Sequence, residues 1–477
     1  MEWERVRAKF KQVWGYDDFR PPQGEIIANL LDRKDCLIIL ATGGGKSICF
    51  QLPALLQYGL TLVVSPLVAL MEDQVQDLKK RSLPAATIHS NLSKNDRWEV
   101  LKDFFRLRLL YLSPETLFSP PVWERLCHPK LRIAGIMLDE AHCLVQWGDT
   151  FRPDYRRLGV LRPALLKQKM DNHPPIPVAA FTATADPSVQ RELISCLNLQ
   201  KPHIILTSPY RGHLALHIEI CWSDKGRKDR SVKYIKEKKG QVGLVYVRTR
   251  KDSEELAEWF TSQGFKCLSY HGGMIPKERR QIEQDWLSGK CQFVVCTSAF
   301  GVGINNPETR WVLHFQSPLT IAEYVQEVGR AGRDGRPAHA LMLVSEPTGL
   351  LDNTDRSRYN FFLDQQRKTI QRAKLILPRL PLKGTHEEVM RIDREGAIAL
   401  GLLHRSGKLI WHDPFNYEIL PGNHTLPDLD ETATQQMQAF ITTKRCRWSF
   451  LMEVFGFIEE AKTTKCGICD NCLKTKK

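Results

Sequence analysis

The sequence lacks long apolar stretches, and this absence limits the classes of protein to which it can belong. No run in its 477 residues approaches the roughly 18 uninterrupted apolar residues that a membrane span requires. The N-terminal segment MEWERVRAKFKQVW is charged throughout and lacks the apolar core of a signal peptide. We therefore expect a cytoplasmic protein with no membrane partner.

Acidic residues are too few to balance the basic ones. Lys and Arg number 68 against 54 Asp and Glu, which gives a formal net charge of +14 and a pI near 9.2. This excess favours a polyanionic partner, although enzymes that never bind nucleic acid are sometimes basic as well. Hydrophobic residues at 42% and charged residues at 26% are ordinary globular proportions, which argues against wholesale disorder.

Closely spaced cysteines are absent from most of the chain. Nine of the 13 cysteines stand singly in apolar surroundings, as Cys36 and Cys296 do, which predicts reduced core cysteines and no disulfide framework. The exception is a group of four near the C-terminus: Cys446, Cys466, Cys469 and Cys472. The last three follow CxxCxxC spacing, which predicts a closed tetrahedral Zn²⁺ site, with an iron–sulfur cluster as the alternative.

Short apolar runs alternate with helix-like segments in two successive series. The first series is CLIIL (36–40), TLVVSP (61–66), LRLLYLSP (107–114), IAGIMLDE (133–140) and PVAAFTATA (177–185). The second is GQVGLVYV (240–247), FKCLSYHGG (265–273), CQFVVCTS (291–298), RWVLHFQ (310–316) and HALMLVS (339–345). Such runs are typical of buried parallel strands, so we predict an α/β protein with two tandem doubly wound parallel-sheet domains, divided near residues 208–212.

A glycine-rich loop follows the first predicted strand, in ILATGGGKSICFQLP. The candidate phosphate-binding residues are Thr42, Gly43, Gly44, Gly45, Lys46 and Ser47. Backbone amides of such a loop wrap phosphates, a lysine reaches the β and γ phosphates, and a hydroxyl binds Mg²⁺. Leu40 stands where the general pattern has its first glycine, so the loop taken alone could also be a simple turn.

Two acids end another predicted strand in IMLDEAHC. Asp139 is placed to coordinate Mg²⁺, and Glu140 is placed to polarise the water that attacks the γ-phosphate. His142 could link this site to the neighbouring domain. The four letters DEAH are weak alone, but after a phosphate loop they indicate an ATP-hydrolysing site.

Two arginines in GRAGRDG suit the same chemistry. Arg330 and Arg333 lie three residues apart, on one side of a helix if the segment is helical. We expect both to face the first domain's nucleotide, where an arginine stabilises the charge on the transferred phosphoryl group. An arginine-rich solvated face is the alternative.

These motifs resemble those of RecQ-type DNA helicases of superfamily 2. GYDDFRPPQ is similar to the nucleotide-recognition motif of that family. SPLVALMEDQV, YLSPETL and FTATA lie where the family has its motifs for strand contact and interdomain coupling. YHGGM, TSAFGVGINNP and YVQEVGRAGRDG match the later motifs. The resemblance runs over residues 10–345 and 446–472, and it implies two RecA-like domains that use ATP and Mg²⁺.

The resemblance also assigns roles near the base of the nucleotide. It implies that Tyr16 stacks near the adenine, that Gln23 reads the adenine edge and that Arg20 lies close by.

An aromatic-rich loop follows the DEAH box in this family and reports bound single-stranded DNA to the ATP site. The matching residues are Gln146, Trp147, Phe151 and Arg152. A base stacked on an aromatic ring contributes about 1–3 kcal/mol to binding, whichever base it is. Such sequence-tolerant binding suits a motor that moves along any strand. The chain departs from the family at Asp149-Thr150, where His-Asp is usual, and core packing is the alternative role of Trp147.

The resemblance implies a short family member ending soon after its zinc-binding module. The expected domains are 1–208, the ATP-binding RecA-like domain; 209–348, the second RecA-like domain; 349–445, a helical and winged-helix-like region; and 446–477, the zinc-binding module. Within 394–420, a helix followed by two strands around the Asp413-Pro414 turn predicts a winged helix, which could hold duplex DNA or serve only for packing.

The expected function is an ATP- and Mg²⁺-dependent DNA helicase that moves 3′ to 5′ in recombination and repair. Single-stranded and tailed or forked duplex DNA are the expected partners, with single-strand-binding protein or other repair factors as candidates. A monomer in the bacterial cytoplasm or nucleoid is expected. An RNA-remodelling enzyme, and a DNA-binding ATPase that does not unwind, are the alternatives.

Overall fold

The computed structural model of the chain describes residues 3–41, 43–146, 153–300, 304, 306–422 and 425–475. The chain divides into two compact units. The first comprises Met1–Leu40, Gly44–Thr207 and Gln366–Leu429, and the second comprises Ala41–Gly43, Ser208–Gln365 and Asp430–Lys477. Within the described ranges, no helix has the length and apolar character needed to cross a membrane.

The first unit is built on a parallel sheet. Its described strands are β1 (Cys36–Ile39), β2 (Leu60–Val64), β3 (Ala85–Ile88), β4 (Leu109–Leu112), β5 (Ile133–Leu138), β6 (Val178–Thr182) and β7 (His203–Leu206). Their spatial order is β3-β4-β2-β5-β6-β1-β7, and every neighbouring pair is parallel. Apolar side chains from both faces of the sheet are buried, which explains why its central strands are continuous apolar runs.

Helices cover this sheet. They are α1 (Trp3–Trp14), α2 (Gln23–Leu31), α3 (Lys46–Leu56), α4 (Val68–Lys80), α5 (Lys94–Lys102), α6 (Pro114–Leu117), α7 (Pro120–Leu126), α8 (Cys143–Gln146), α9 (Leu161–Leu166) and α10 (Pro187–Cys196). A 3₁₀ helix at Pro153–Val160 precedes α9.

The second unit repeats this architecture. Its described strands are β8 (Leu214–Cys221), β9 (Gly243–Tyr246), β10 (Cys267–Tyr270), β11 (Phe293–Cys296), β12 (Trp311–His314) and β13 (Ala338–Ser345). They lie in the order β10-β11-β9-β12-β13-β8, again all parallel. The accompanying helices are α11 (Asp224–Glu237), α12 (Arg250–Ser262), α13 (Pro276–Leu287) and α14 (Ile321–Val328).

The predicted fold class is confirmed, and each of the ten predicted apolar runs contains a strand. Three strands of the two parallel sheets were not predicted, namely β3, β7 and β8, and all three lie at a sheet edge. Polar residues interrupt β3 (AATI) and β8 (LALHIEIC), and β7 (HIIL) has only three consecutive apolar residues.

The region beyond the second sheet is mostly helical. Its elements are α15 (Thr354–Ile376), a 3₁₀ turn (Leu377–Arg379), β14 (Lys383–Thr385), α16 (His386–Ile392), α17 (Gly396–Arg405), β15 (Leu409–Trp411), β16 (Asn416–Ile419), α18 (Thr432–Thr442), α19 (Arg447–Val454), α20 (Ile458–Thr463) and α21 (Asp470–Lys474). The boundary between the two units falls within α15, and the predicted domain limits remain predictions.

Residues 380–420, which we call the hairpin module, belong to the first unit. β14, β16 and β15 form an antiparallel sheet in that order, so the predicted helix and two strands are present. Helix α17 is buried along its length: from Gly396 to Leu403 only Ile398 is even partly exposed. The helix of the predicted winged helix therefore packs against protein, and contact of the module with duplex DNA stays an untested alternative.

Helices α18–α21 belong to the second unit and share its core. Phe440 and Trp448 are buried with side chains from the second sheet. The indole Nε1 of Trp448 donates to the Leu214 carbonyl oxygen at 2.9 Å, and the buried Arg447 pairs with Asp470 at 2.8 Å.

A buried arginine holds the start of α15 to the second sheet. Arg227 on α11 donates to Asp352 at 2.9 Å, to Asp355 at 3.3 Å and to the Phe315 carbonyl oxygen at 2.7 Å. The side chains of Arg227 and Asp352 are only 2% and 3% exposed. A buried ion pair of this kind is costly to break from one side, because the remaining charge stays buried without its partner.

We expect Arg227→Met to lower the free energy of unfolding by roughly 3–5 kcal/mol, because Asp352 then stays buried without its cation. The adjacent Lys228 pairs with Asp224 at the surface, so Lys228→Met should change stability by less than about 1 kcal/mol. Urea denaturation of both variants measures the difference. An equal cost for the two would contradict the assigned role of Arg227.

Candidate nucleotide site and metal centre

The glycine-rich loop joins β1 to α3, and its path depends on two glycines. Gly43 and Gly45 have φ angles of 84° and 77°, in the left-handed region that favours glycine. A Cβ at Gly45 would also lie 2.3 Å from Nε2 of Gln23. Lys46 begins α3, so the N–H groups of the first turn lie beside the loop, as in anion-binding loops. Thr42 lies outside the described residues.

The lysine of this loop contacts the acids that follow β5. Nζ of Lys46 lies 3.5 Å from Oε1 of Glu140, and both side chains are about nine-tenths buried, at 12% and 10% exposure. Asp139 precedes Glu140 and accepts a hydrogen bond from its backbone N–H at 3.0 Å. The structure thus brings three of the predicted catalytic residues into one cluster, and Ser47 follows Lys46 on the first turn of α3.

The environment of Asp139 favours a bound cation. Burial, and after it the neighbouring charge of Glu140, raise the pKa of Asp139 to about 6 against the opposing charge of Lys46. A divalent cation beside the carboxylate would restore the ionised form. Asp139 and the Ser47 hydroxyl offer oxygen atoms, the ligands that Mg²⁺ prefers.

The histidine of the DEAH segment binds within the first unit. Nδ1 of His142 lies 2.9 Å from Oγ1 of Thr182, and the same nitrogen lies 3.4 Å from Oε2 of Glu140. Burial lowers the pKa of His142, so the imidazole is neutral at pH 7. Thr182 belongs to FTATA, the segment assigned to coupling by resemblance, and His142 therefore joins that segment to the acids of the ATP site.

The predicted adenine-reading glutamine contacts the phosphate loop. Nε2 of Gln23 donates to the Gly44 carbonyl oxygen at 3.1 Å, and Oε1 accepts from the Arg20 backbone N–H at 3.0 Å. Tyr16 is 52% exposed and its ring centroid lies 5.8 Å from that of Phe10. An exposed ring of this kind is available to stack on a base, and the roles of all three residues stay predictions.

Most of the aromatic loop lies outside the described residues. Trp147, Phe151 and Arg152 fall in the undescribed range, and of Gln146 only its place at the end of α8 is described. The flanking elements are well anchored, because α8 and the 3₁₀ helix at Pro153–Val160 both contribute buried residues to the first core.

The arginines of GRAGRDG lie in a turn and not on a helix. α14 ends at Val328, and Gly332 adopts a φ of 65°, so the segment is not helical and the condition for Arg330 and Arg333 to share a helix face is not met. Nη1 of Arg333 donates to the Ile304 carbonyl oxygen at 3.1 Å. Burial and then the charge of Arg330 lower the pKa of Arg333 to about 9. An anion beside this turn would relieve that accumulation of positive charge.

Sequence reasoning missed two sets of residues around these sites. Nε2 of Gln74 donates to Oδ2 of Asp139 at 3.3 Å, and the motif SPLVALMEDQV that contains it was assigned only to strand contact and coupling. In the second unit, Glu327 accepts from Arg248 and from Nε2 of His314, each at 2.8 Å. Burial alone would raise the pKa of Glu327, but the Arg248 charge and the His314 hydrogen bond hold it near 2. Glu327 stands three residues before Arg330 in the same motif, which was the available signal.

The four C-terminal cysteines converge on one point. Their Sγ atoms all lie within 4.8 Å of one another. A tetrahedral zinc site with Zn–S bonds of about 2.3 Å separates its sulfurs by about 3.8 Å, and Cys466 and Cys472 Sγ lie 3.9 Å apart. Backbone N–H groups also point at the sulfurs, as from Cys469 to Cys466 at 3.3 Å and from Cys466 to Cys446 at 3.4 Å. Such donors stabilise thiolates, so the cluster fits a metal with four sulfur ligands.

Comparison with known families matches three segments of the chain. Residues 20–193 match the DEAD/DEAH box helicase family, residues 227–335 match the helicase conserved C-terminal domain, and residues 423–473 match the RecQ zinc-binding family. The last match covers the cysteine cluster, which identifies it as a zinc-binding module and not as an iron–sulfur site.

Similar proteins and structures lead to the same group. The chain is 52% identical to the ATP-dependent DNA helicase RecQ of Synechocystis over 98% of both chains. It is 41% identical to the probable ATP-dependent DNA helicase RecS of Bacillus subtilis over 71% of this chain and 66% of that protein. A solved structure of Dbp5 from S. cerevisiae bound to RNA and ADP BeF3 superposes with a TM-score of 0.58 over 74% of this chain and 90% of that chain, at 16% identity, which supports the fold alone. The chain belongs to the RecQ family of ATP-dependent DNA helicases.

Proposed function

We propose that this chain hydrolyses ATP with Mg²⁺ to move 3′ to 5′ on single-stranded DNA and to unwind tailed or forked duplexes during recombination and repair. The observation that carries the proposal is the contact of Lys46 with Glu140 beside Asp139. It joins a phosphate-binding cation, a water-polarising acid and a cation-binding acid in one buried cluster.

The Lys46–Glu140 pair supplies the nucleotide chemistry. Lys46 and Glu140 neutralise each other across 3.5 Å. A bound triphosphate is the stronger anion and attracts Lys46, which leaves the Glu140 carboxylate to orient the attacking water. Asp139 and Ser47 would hold Mg²⁺, which supplies the charge that neutralises the phosphate oxygens.

Arg330 and Arg333 complete this site in the proposed mechanism. Burial, and after it the neighbouring charges of Arg330 and Arg211, lower the pKa of Arg333 in this turn. Two arginines placed against the γ-phosphate would stabilise its developing charge only in the closed arrangement of the two helicase domains. Hydrolysis and domain movement are coupled in this way.

The DNA path uses electrostatics and stacking together. The formal net charge of +14 suits a phosphate backbone, and Gln146, Trp147, Phe151 and Arg152 provide the base-sensing loop. We propose that the protein acts as a monomer in the bacterial cytoplasm or nucleoid. Single-strand-binding protein or other repair factors would recruit it to its substrate.

Strand displacement on tailed DNA duplexes and tailed RNA duplexes tests the proposal. We expect ATP-dependent displacement of the DNA strand from substrates with a 3′ tail and none from substrates with a 5′ tail. Displacement of RNA alone would identify an RNA-remodelling enzyme. DNA-stimulated hydrolysis without displacement would identify an ATPase that does not unwind.

Lys46→Ala should abolish ATP hydrolysis because it removes the cation that binds the β and γ phosphates. Binding of single-stranded DNA should stay within about threefold of wild type, since phosphate contacts elsewhere supply that affinity. A steady-state ATPase assay and fluorescence anisotropy measure the two quantities. Lys34→Ala, an exposed lysine of the same unit, is the control, and normal turnover by Lys46→Ala would remove the loop from the mechanism.

Trp147→Ala should lower the DNA-stimulated ATPase rate and leave the DNA-free rate nearly intact. One stacked base contributes about 1–3 kcal/mol, so binding of single strands should weaken only modestly while unwinding is lost. Rates with and without an oligonucleotide, beside a melting curve, measure these effects. Trp98→Ala, an exposed tryptophan on α5, is the matched control. An unchanged ratio of stimulated to basal rate, with reduced thermal stability, would assign Trp147 to the core.

Cys469→Ser should release the metal, because it removes one of four thiolate ligands. The melting temperature should fall clearly, whereas the intrinsic ATPase rate of the protein that remains folded should change little. Elemental analysis should find one zinc per wild-type chain and less in the variant, whereas Cys127→Ser should keep its zinc. Iron, or no metal, in the wild type would refute the zinc assignment.

A further inference from the structure

The segment after the aromatic loop contains two consecutive buried arginines to which sequence reasoning gave no role. Arg156 and Arg157 lie on the 3₁₀ helix Pro153–Val160, and their side chains are 2% and 4% exposed. Arginines are almost never buried to this degree unless they are paired. The burial of these two arginines therefore needs an explanation. The contacts of each arginine include residues of the hairpin module or of a neighbour that the module also contacts.

Arg157 joins the 3₁₀ helix to the tip of the hairpin. Nη1 of Arg157 donates to the Pro414 carbonyl oxygen at 2.9 Å, and Nη2 pairs with Asp154. The guanidinium carbon lies 4.5 Å from the ring centroid of Phe118 and 6.0 Å from that of Trp411. One ring comes from the helicase domain and the other from the module, so Arg157 binds both at once.

Further contacts fix the same junction. Nε2 of His386, at the start of α16, lies 3.3 Å from Oδ1 of Asp154. Phe415 at the hairpin tip lies 5.3 Å from Trp123, measured between ring centroids, and packs against the first core. Val160 at the end of the 3₁₀ helix packs in turn against the core of the module.

Arg156 forms a second connection through a shared carboxylate. Nη2 of Arg156 lies 2.5 Å from Oε1 of Glu192, and Nε of Arg405 lies 3.6 Å from the same oxygen. Arg405 ends α17 of the module. Glu192 lies on α10, which begins directly after FTATA, the segment whose Thr182 contacts His142. The module is thus joined to the segment leaving the aromatic loop and to the helix that follows the His142 contact.

We propose that the hairpin module braces the segment after the aromatic loop, so that stimulation of the ATPase by DNA depends on the module. Arg157 is the positioning residue of this brace: its buried guanidinium acts by holding Pro153–Val160 in place. The inference rests on the proposed role of Trp147 in sensing DNA. In this proposal, α17 and the hairpin tip transmit the signal from bound DNA to the ATP site. In a DNA-binding winged helix, the same elements would contact duplex DNA.

The first test compares Arg157→Gln with Arg391→Gln, which alters an exposed arginine on α16. For Arg157→Gln we expect a DNA-free ATPase rate within about twofold of wild type and a maximal DNA-stimulated rate at least about fivefold lower. The DNA concentration for half-maximal stimulation should change little, since phosphate contacts elsewhere set it. Arg391→Gln should behave as wild type. Equal losses in basal and stimulated rates would reduce Arg157 to a residue of structural importance only, and would overturn the inference.

A second pair of variants approaches the junction from the module. Phe415→Ala removes the tip contact, and Ile410→Ala removes a half-exposed apolar residue of the same hairpin as its control. Hydrogen exchange should quicken at residues 153–160 in Phe415→Ala but not in Ile410→Ala, with the phosphate loop unaffected in both. Arg405→Gln, at a partly exposed position, keeps the inference testable if Arg157→Gln does not fold. Unchanged exchange and unchanged stimulation in Phe415→Ala and Arg405→Gln would overturn it.

Trp147→Ala, measured in parallel, separates this inference from the proposed function. If wild type is stimulated by DNA and Trp147→Ala loses that stimulation while the junction variants keep it, the brace is refuted and the sensing loop stands. If Trp147→Ala keeps the stimulation, the proposed role of the loop in sensing DNA is refuted, and the inference that rests on it is refuted as well. Loss of stimulation in Trp147→Ala, Arg157→Gln and Phe415→Ala, with basal rates preserved, is the result that we expect.

Discussion

The parallel pairing of the first sheet is the constraint on which the ATP site depends. β5, β6 and β1 are neighbours, so the loops that follow β1 and β5 leave the sheet at the same edge. This brings Lys46 to Glu140 although they are 94 residues apart in the chain. The arrangement has a cost, since Asp139 is buried with a raised pKa and Glu140 adopts a φ of 50°, in the left-handed region. A cation bound at this edge would stabilise the ionised form of Asp139. It would thereby offset part of the free energy lost through burial of the carboxylate beside the phosphate loop.

The sequence predicted those features that local chemistry determines. Strands buried on both faces appear as continuous apolar runs, and the phosphate loop and cysteine cluster have diagnostic spacing. Three edge strands, β3, β7 and β8, were missed because their apolar runs are short or interrupted by polar residues. Gln74 and Glu327 were missed because their roles exist only through contacts with distant residues, Asp139 in one case and Arg248 in the other. Arg330 and Arg333 could share a helix face only in a helical segment, and Gly332, which favours the left-handed conformation, lies between them.

The burial of the helix in the winged-helix-like segment could have been predicted from its composition. α17 has the sequence GAIALGLLHR, in which only the last two residues are polar. A helix that is apolar all around its axis is buried, whereas a recognition helix must present polar side chains to bases and phosphates. The same argument applies to the hairpin tip, where Phe415 packs against Trp123. A helix followed by a hairpin in the sequence thus predicts a winged-helix-like fold. The polarity of its helix indicates whether that helix is exposed or buried against protein.

The zinc-binding module contacts the edge of the second sheet. β8 is an edge strand, and unpaired backbone groups at such an edge invite association with other chains. The module supplies partners for them: Trp448 donates to the Leu214 carbonyl oxygen, and Asp470 accepts from the Ile218 N–H at 3.4 Å. Asp470 stands between two of the cysteines and is held by Arg447, so its position depends on the fold of the cysteine cluster. The segment is short and packs on the core of the second unit, and four thiolates on one metal would add rigidity to it. A metal bound there would therefore support the motor indirectly, because the strand that Trp448 and Asp470 contact begins the second helicase domain.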